Sequence, residues 1–309
     1  MAARVMVVGS SNMDLVIRAG RIPRVGETIL GDQFRMIPGG KGANQAVAAA
    51  RLGAEVFLVT RLGGDLYGKE LRAQFAAFGI RDKYILQTDE VSTGVAGIFV
   101  DQQGCNVIVV VPGANHKLTP EDVGQAASDI RAAGAVVAQL EVPLETVQYA
   151  AETAYQYKVP FILNPAPAQP LGKGLLEKTA IITPNETEAE ILTDIRVEDQ
   201  DSAFSAAARL REMGVESVII TMGQKGYAVA TPKEKLFCPA IAVAAVDTTA
   251  AGDAFTGSLA WGIAGGRSIT EAARFANYVA ALSVTREGAQ PSMPAYEEVA
   301  AFIKTCESK

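Results

Sequence analysis

Unbroken apolar runs and short helical periods alternate along this chain, and their order predicts its layers. Val5 to Val8 is continuously apolar and stops at Gly9, as a strand buried on both faces of a parallel sheet does. Glu55 to Arg61, Val136 to Leu140, Phe161 to Leu163, Ile181-Ile182 and Val218 to Met222 predict further strands. The turn Gly223-Gln-Lys-Gly226 leads into one more, over Tyr227 to Ala230. Between them the pattern predicts helices over Ala46 to Leu52, Gly68 to Phe78 and Val142 to Tyr155, and others from Ala254, Thr270 and Ala295. Thr119 reads as an N-cap, with Pro120 at the first helical position and Glu121 and Asp122 in the first turn. Thr270 reads as a second N-cap, and Thr183-Pro-Asn-Glu-Thr-Glu188 opens a helix. Such alternation predicts an α/β fold, a mostly parallel central sheet with helices on both faces.

Two stretches break the rhythm. Leu15 to Ile37 holds short β-like pieces, Leu15-Val-Ile-Arg and Glu27-Thr-Ile-Leu, interrupted by Pro23 and Gly26. Thr93 to Val111 holds two β-rich runs around Asp101-Gln-Gln-Gly104. Both predict antiparallel ribbon, and together a small β-sheet lid over the ligand crevice. With no linker, repeat or low-complexity tract, residues 1–309 read as a single domain, its lid inserted from about 15–37 and 93–111.

Composition removes several function classes. Of the 309 residues 49% are apolar, enough for a large core without metals or disulfides. A net charge of −6 argues against nucleic-acid binding, which needs a basic face. His116 is the sole histidine, which excludes His-rich metal sites and Ser-His-Asp or Cys-His triads. Cys105, Cys238 and Cys306 lie far apart, as free thiols of a reducing cytoplasm would. The apolar run at the start is too short for a secretory signal, and no stretch approaches a membrane span. A cytoplasmic protein is expected.

The candidate chemistry gathers around Ala245-Val-Asp-Thr-Thr-Ala-Ala-Gly-Asp-Ala-Phe-Thr-Gly257. An extended segment, Ala240 to Val246, gives way to Ala250-Ala-Gly252, then to Asp253 and a helix. A helix N-terminus favours an anion, and small residues let it approach. Asp253 therefore either caps the helix or takes a hydroxyl's proton during phosphoryl transfer. Pro38-Gly-Gly-Lys-Gly-Ala-Asn-Gln45 is a second glycine-rich helix start. Lys41 is followed by Gly42 and position 35 is Arg, so it is not a P-loop, nor is it the dinucleotide fingerprint. Asn12 and Asp14, just past the first strand, read as crevice residues or as an Asx-turn. Asp14, Glu141, Asn185, Glu188, Thr221 and Asp253 are all expected just past strands, on the crevice side.

Gly39-Gly-Lys-Gly-Ala-Asn44 and Asp247-Thr-Thr-Ala-Ala-Gly-Asp253 resemble the paired signatures of PfkB-type sugar kinases, and Asn185-Glu-Thr-Glu188 their Asn-x-x-Glu element. Gly9-Ser-Ser-Asn-Met-Asp14, Asn164-Pro-Ala-Pro167 and Thr285-Arg-Glu-Gly-Ala-Gln-Pro-Ser292 narrow the likeness to the ribose-phosphorylating members. The resemblance spans essentially the whole chain. It implies ATP-dependent phosphorylation of D-ribose at the 5-hydroxyl. Asp253 would be the base, and the backbone of Ala250, Ala251, Gly252 and Asp253 the anion hole. Asn12, Asp14, Gly40, Lys41, Asn44 and Glu141 would bind the sugar. Asn185, Thr221, Gly223, Lys225, Gly226, Gly252 and Asn277 would bind ATP, with Glu188 helping to hold Mg²⁺ through water. A K⁺ site would use Asp247, Thr249, Ser283, Arg286, Gly288 and Ser292, several through backbone carbonyls. The resemblance also implies a homodimer formed through the lid. Ala250 departs from the family, which often has Gly there. Met13 and Trp261 read as core. Deoxyribose, nucleoside and fructose kinases are the competing enzymes, and a non-catalytic sugar- or nucleotide-binding regulator the competing class.

Overall fold

The computed structural model describes residues 3–307. Its first apolar run is β1 (Arg4–Val8), in which Val5 to Val8 are wholly buried. The chain then forms β2 (Asn12–Ala19), β3 (Gly31–Gly39), β4 (Glu55–Gly63), β5 (Ile85–Thr88), β6 (Gly94–Val100) and β7 (Asn106–Val111). The later strands are β8 (Ala135–Ala138), β9 (Phe161–Leu163), β10 (Ile181–Ile182), β11 (Ser217–Thr221), β12 (Tyr227–Ala230) and β13 (Lys235–Cys238).

Two sheets result. The large one runs β13-β12-β11-β10-β9-β8-β1-β4-β5. From β11 through to β5 every pair is parallel, and only β12 runs against its neighbours. Alternate residues of β1 feed separate cores. Val5 and Val7 join the helices Lys41–Arg51, Ala251–Ala264 and Ile269–Ser283; Met6 and Val8 join Leu144–Gln156 and Gln200–Glu212 on the other face. After β1 the order reverses, with β4 on one side and β8 on the other. This is the switch point at which open α/β sheets leave a crevice past their strand ends. Met13 and Trp261 are buried in the first core, as the pattern implied.

The small sheet, β3-β2-β6-β7, is the lid. Its two hairpins are antiparallel, but β2 and β6 join them in parallel, so the sheet is mixed. It starts at Asn12, earlier than the hydrophobic pattern indicated. Asn12 pairs with Gly39 and Gly94 on either side, which rules out an Asx-turn. Asn12 and Asp14 therefore follow β1 on a lid strand and not in a turn. Polarity misled here because a lid strand turns polar side chains toward a crevice. Glu27 to Leu30 is not strand, since residues 25–30 form a turn and an unpaired stretch before β3.

Other departures are local. The N-cap near 270 is Ser268, in a capping box with Glu271, and Thr270 lies inside the first turn. A Ser followed three residues later by Glu was the better signal. Ala240 to Val246 forms no ladder, so the helix carrying Asp253 follows a loop. Thr119 caps its helix as expected, and the Asn185–Glu188 capping box opens another. Among the described residues no helix is long and apolar enough to cross a membrane.

One packing contact positions the site. The helices Lys41–Arg51 and Ala251–Ala264 approach so closely at Gly257 that a Cβ there would lie 2.4 Å from the Gln45 carbonyl oxygen. Side chains at the starts of both helices are thereby brought within hydrogen-bond reach of each other.

Candidate active site

Asp253 is the third residue of its helix and 6% exposed. An N-capping carboxylate would accept from its own helix's first turn. Asp253 instead accepts across the helix pair, from Asn44 Nδ2 at 2.9 Å and Gln45 Nε2 at 2.9 Å. The cap reading therefore fails. The residue at the cap position is Ala250, in left-handed conformation at φ 59°, with no side-chain cap. That conformation costs a non-glycine residue roughly 1–2 kcal/mol, and packing against the core retains it. The Ala251 N–H donates to the Thr248 carbonyl at 3.2 Å. Those of Gly252 and Asp253 meet no acceptor among the described residues, so the positive end of this helix is concentrated there. A Cβ on Gly252 would meet nothing within 4 Å, because the crevice opens above it.

The proposed sugar residues converge on the same place from the lid and the other helix start. Gly40 holds φ 87°, and a Cβ on it would lie 2.7 Å from the Asn12 nitrogen. Only glycine lets this turn pass beneath the lid strand. Glu141 fixes the turn, accepting from the Lys41 N–H at 3.1 Å and from Ser10 Oγ at 2.5 Å. Asn115 Nδ2 donates to Asn12 Oδ1 at 2.7 Å and so sets that amide's orientation. Asp14 is pushed up to about 7 by burial first, then by the charges of Glu141 and Asp253. Burial opposes the charge on Lys41, but Asp253, Glu141 and Glu188 outweigh it and raise its pKa. Asn44 Oδ1 is buried with no partner, an acceptor left open.

Beside Gly252 lies a crevice of about 710 Å³. Asn185, Thr221, Gly223, Gly226, Gly252 and Asn277 line it, as predicted for nucleotide contact. Lys225 does not; its ammonium donates to the Glu198 carbonyl at 2.8 Å. Glu188 stands next to the crevice in its capping box with Asn185, its pKa raised chiefly by burial. One apolar wall was not foreseen. It comprises Ala240 to Val243 with Phe255 and Ala280, and Asn277 ties it down by donating to the Pro239 carbonyl at 3.0 Å. Alanines and valines in a loop carry no distinguishing signal in a sequence.

The residues assigned to K⁺ come from two loops that the fold ties together. Asp247 accepts from the Thr249 N–H and the Gly288 N–H, each at 2.9 Å. Burial pushes its pKa up, but these bonds prevail and hold it below the usual carboxylate range. Val246 and Asp247 both donate to the Val284 carbonyl. The hydroxyls of Ser283 and Ser292 turn back onto the Ala280 and Ala289 carbonyls. Arg286 pairs with Glu298 at 2.6 Å, so its guanidinium is engaged elsewhere and only its backbone remains to serve an ion.

Known proteins share this fold. The model of the pfkB family carbohydrate kinases matches residues 2–296. The chain belongs to the pfkB family. A ribokinase of Haemophilus influenzae is 43% identical over 96% of this chain and 97% of its own. A deoxyribokinase of Salmonella typhimurium is 39% identical over 97% of this chain and 98% of its own. Among solved structures, an Arabidopsis thaliana ribokinase complexed with ribose and ATP superposes with a TM-score of 0.92 at 35% identity, covering 98% of this chain and 99% of that one. The chain is thus a kinase of the pfkB family with that fold. Gln45, Gln139 and Asn164 are joined to Asp253 by a chain of amide hydrogen bonds, although sequence reasoning gave them no role. Gln45 and Asn164 lay inside quoted motifs, whereas nothing in the sequence set Gln139 apart.

The raised pKa of Asp14 has a stability consequence. Its folded value near 7 exceeds its unfolded value of about 4, so the folded state holds a proton the unfolded chain releases. The group's stabilising contribution is fully present below pH 4 and is lost as pH rises toward 7. Asp14→Asn should therefore be more stable relative to wild type at pH 8 than at pH 5. Urea unfolding of both ligand-free proteins at the two pH values measures this, and a pH-independent difference would refute it.

Proposed function

We propose that this chain transfers the γ-phosphate of ATP to the 5-hydroxyl of D-ribose, giving D-ribose 5-phosphate and ADP. The observation that carries the reading is a buried, amide-held carboxylate, Asp253, beside the free N–H groups of its own helix start. An acid so close to an anion site repels the anion unless it takes up a proton. Support comes from the Haemophilus influenzae ribokinase and from the Arabidopsis thaliana ribokinase complexed with ribose and ATP.

In this reading Asp253 takes the proton of the 5-hydroxyl as its oxygen bonds to the γ-phosphorus. The bond from that phosphorus to the β,γ-bridging oxygen breaks, and ADP leaves with the electron pair. The Gly252 and Asp253 N–H groups receive the charge on the transferring oxygens; Ala250 and Ala251 shape the turn that presents them. Asn12, Asp14, Gly40, Lys41, Asn44 and Glu141 hold the sugar, whose vicinal hydroxyls suit amide and carboxylate partners. Lys41, kept charged by three carboxylates, faces the incoming phosphate.

Two ions belong to the proposal. The described residues contain no cluster of three acidic, His or Cys ligands. That fits Mg²⁺ carried mainly by the phosphates of ATP, with Glu188 reaching it through water and Asn185 fixing Glu188. Backbone carbonyls with one carboxylate, Asp247, suit a large monovalent cation such as K⁺. Thr249, Ser283, Arg286, Gly288 and Ser292 would complete that set, whose bound ion neutralises charge behind the anion site.

The molecule acts in this reading as one domain, residues 1–309, with the lid closing over sugar. Exposed β7, with Val107 to Val111 each 45–59% exposed, is a flat apolar strand face. Monomers rarely leave such a face bare, and we assign it to a homodimer through the lid. A cytoplasmic location accords with three free cysteines.

Three measurements test these assignments. Coupled ADP release should be fastest with D-ribose among D-ribose, 2-deoxyribose, fructose and adenosine, and Asp253→Asn should lower its turnover by about 10²–10⁴ with sugar affinity nearly kept. Fastest release with 2-deoxyribose would make the Salmonella typhimurium relative the better guide, and collapse of sugar affinity would make Asp253 a binding anchor. Exchanging K⁺ for Li⁺ should reduce kcat several-fold, whereas an indifferent rate removes the six residues from the ion set. Sedimentation should show a wild-type dimer and a Val109→Lys monomer; a monomeric wild type refutes the lid interface.

A further inference from the structure

We infer that Gln45 is a positioning residue for Asp253, held in place by Gln139 and Asn164; the inference rests on Asp253 being the base. Gln45 is 0% exposed and faces no open space, so it does not reach substrate. Its Nε2 donates both to Asp253 Oδ1 at 2.9 Å and to Asn164 Oδ1 at 3.0 Å. Its Oε1 accepts from Gln139 Nε2 at 2.6 Å. Both amide protons and one oxygen lone pair are thus committed.

The sense of the bond between Gln45 and Asn164 is fixed by its neighbours. Asn164 Nδ2 donates to the Thr183 carbonyl at 3.1 Å, and a backbone carbonyl can only accept. Asn164 must therefore turn its oxygen to Gln45, and Gln45 must answer with its NH₂. Gln139 completes the set on the other side by donating to Gln45 Oε1. A flipped Gln45 would set its oxygen against two acceptors, one of them a carboxylate. The chain of amides runs from the ends of β8 and β9, so the large sheet itself orients the Asp253 carboxylate. Asn44 holds the other oxygen, Oδ2, but its own Oδ1 is buried with no partner. The two adjacent residues differ in role, since Asn44 serves carboxylate and substrate and Gln45 the carboxylate alone. Each carboxylate oxygen keeps a lone pair for the incoming hydroxyl proton.

Displacement of a reacting group by about 1 Å costs on the order of 10²-fold in rate. Gln45→Met, which keeps length and loses both amide donors, should therefore lower kcat roughly 10–100-fold while KM for sugar and ATP stays within about threefold. The deciding measurement is a double-mutant cycle with Asp253→Asn. Gln45→Met should cost nothing further in that background, where no base remains to be aimed. An equal loss in both backgrounds, or a change confined to KM, overturns the positioning role while leaving Asp253 as the base. An undiminished rate in Asp253→Asn alone overturns the base and, with it, this role. Gln139→Met leaves Gln45 in place and keeps the cycle readable if Gln45→Met does not fold. It should lower kcat roughly 3–10-fold in the wild-type background only, and equal losses in both backgrounds again refute the role.

Discussion

The site depends on how closely the helices Lys41–Arg51 and Ala251–Ala264 meet. The absent side chain of Gly257 lets the Gln45 carbonyl approach, and this fixes the helix starts relative to each other. Two amides of one helix then hold a carboxylate of the other. A side chain at 257 would push the helices apart, since cores so dense do not absorb added atoms freely. The amide contacts to Asp253 would lengthen with that separation. Packing and chemistry are here one constraint, because a contact between small residues sets the position of the acid.

The charges gathered by this geometry do not balance without ligands. Glu141, Glu188 and Asp253 act on Lys41 and raise its pKa against burial, while Asp14 is raised by burial first and then by Glu141 and Asp253. For the acid a raised pKa means strain relieved by a proton; for the lysine it means a charge retained despite burial. Sugar hydroxyls can donate to the carboxylates and spread that negative charge. The positive end of the Asp253 helix lies beside the large crevice, which Ala251 and Gly252 line. The ligand-free site is thus polarised, acidic around Lys41 and electropositive at the Gly252 and Asp253 N–H groups.

Most of the large sheet was legible because buried parallel strands are unbroken apolar runs, and β1, β9 and β10 fall where those runs lie. The lid was legible as an interruption, yet its edges were not. Asn12 and Asp14 look like a turn in sequence because nothing local distinguishes a polar strand facing a crevice from a loop. The acid at 253 was visible from its glycine and alanines, but whether it capped its own helix depended on Asn44 and Gln45, more than 200 positions away in sequence. The placement of Lys225 was hidden for a similar reason, since the Glu198 carbonyl to which it donates lies 27 positions away. Long-range hydrogen bonds decide such cases, and a local pattern does not contain them.

Ala250 shows how the remote loops bear on the same point. A β-carbon in left-handed conformation is unfavourable, yet this residue sets the direction in which Gly252 and Asp253 present their N–H groups. The turn is braced from behind: Asp247 binds the Thr249 N–H on one side and the Gly288 N–H on the other, while the Val284 carbonyl takes both Val246 and Asp247. The lid reaches the same loop, because Arg35 on β3 pairs with Glu287 at 2.7 Å, one residue before Gly288. A path of contacts therefore runs from lid strand to loop to Asp247 to the strained turn. Glycine at 250 would relax the turn but also free it to move, whereas alanine keeps it in one conformation only while the brace holds. The strain at Ala250 makes the direction of the Gly252 and Asp253 N–H groups conditional on the order of the loop behind it.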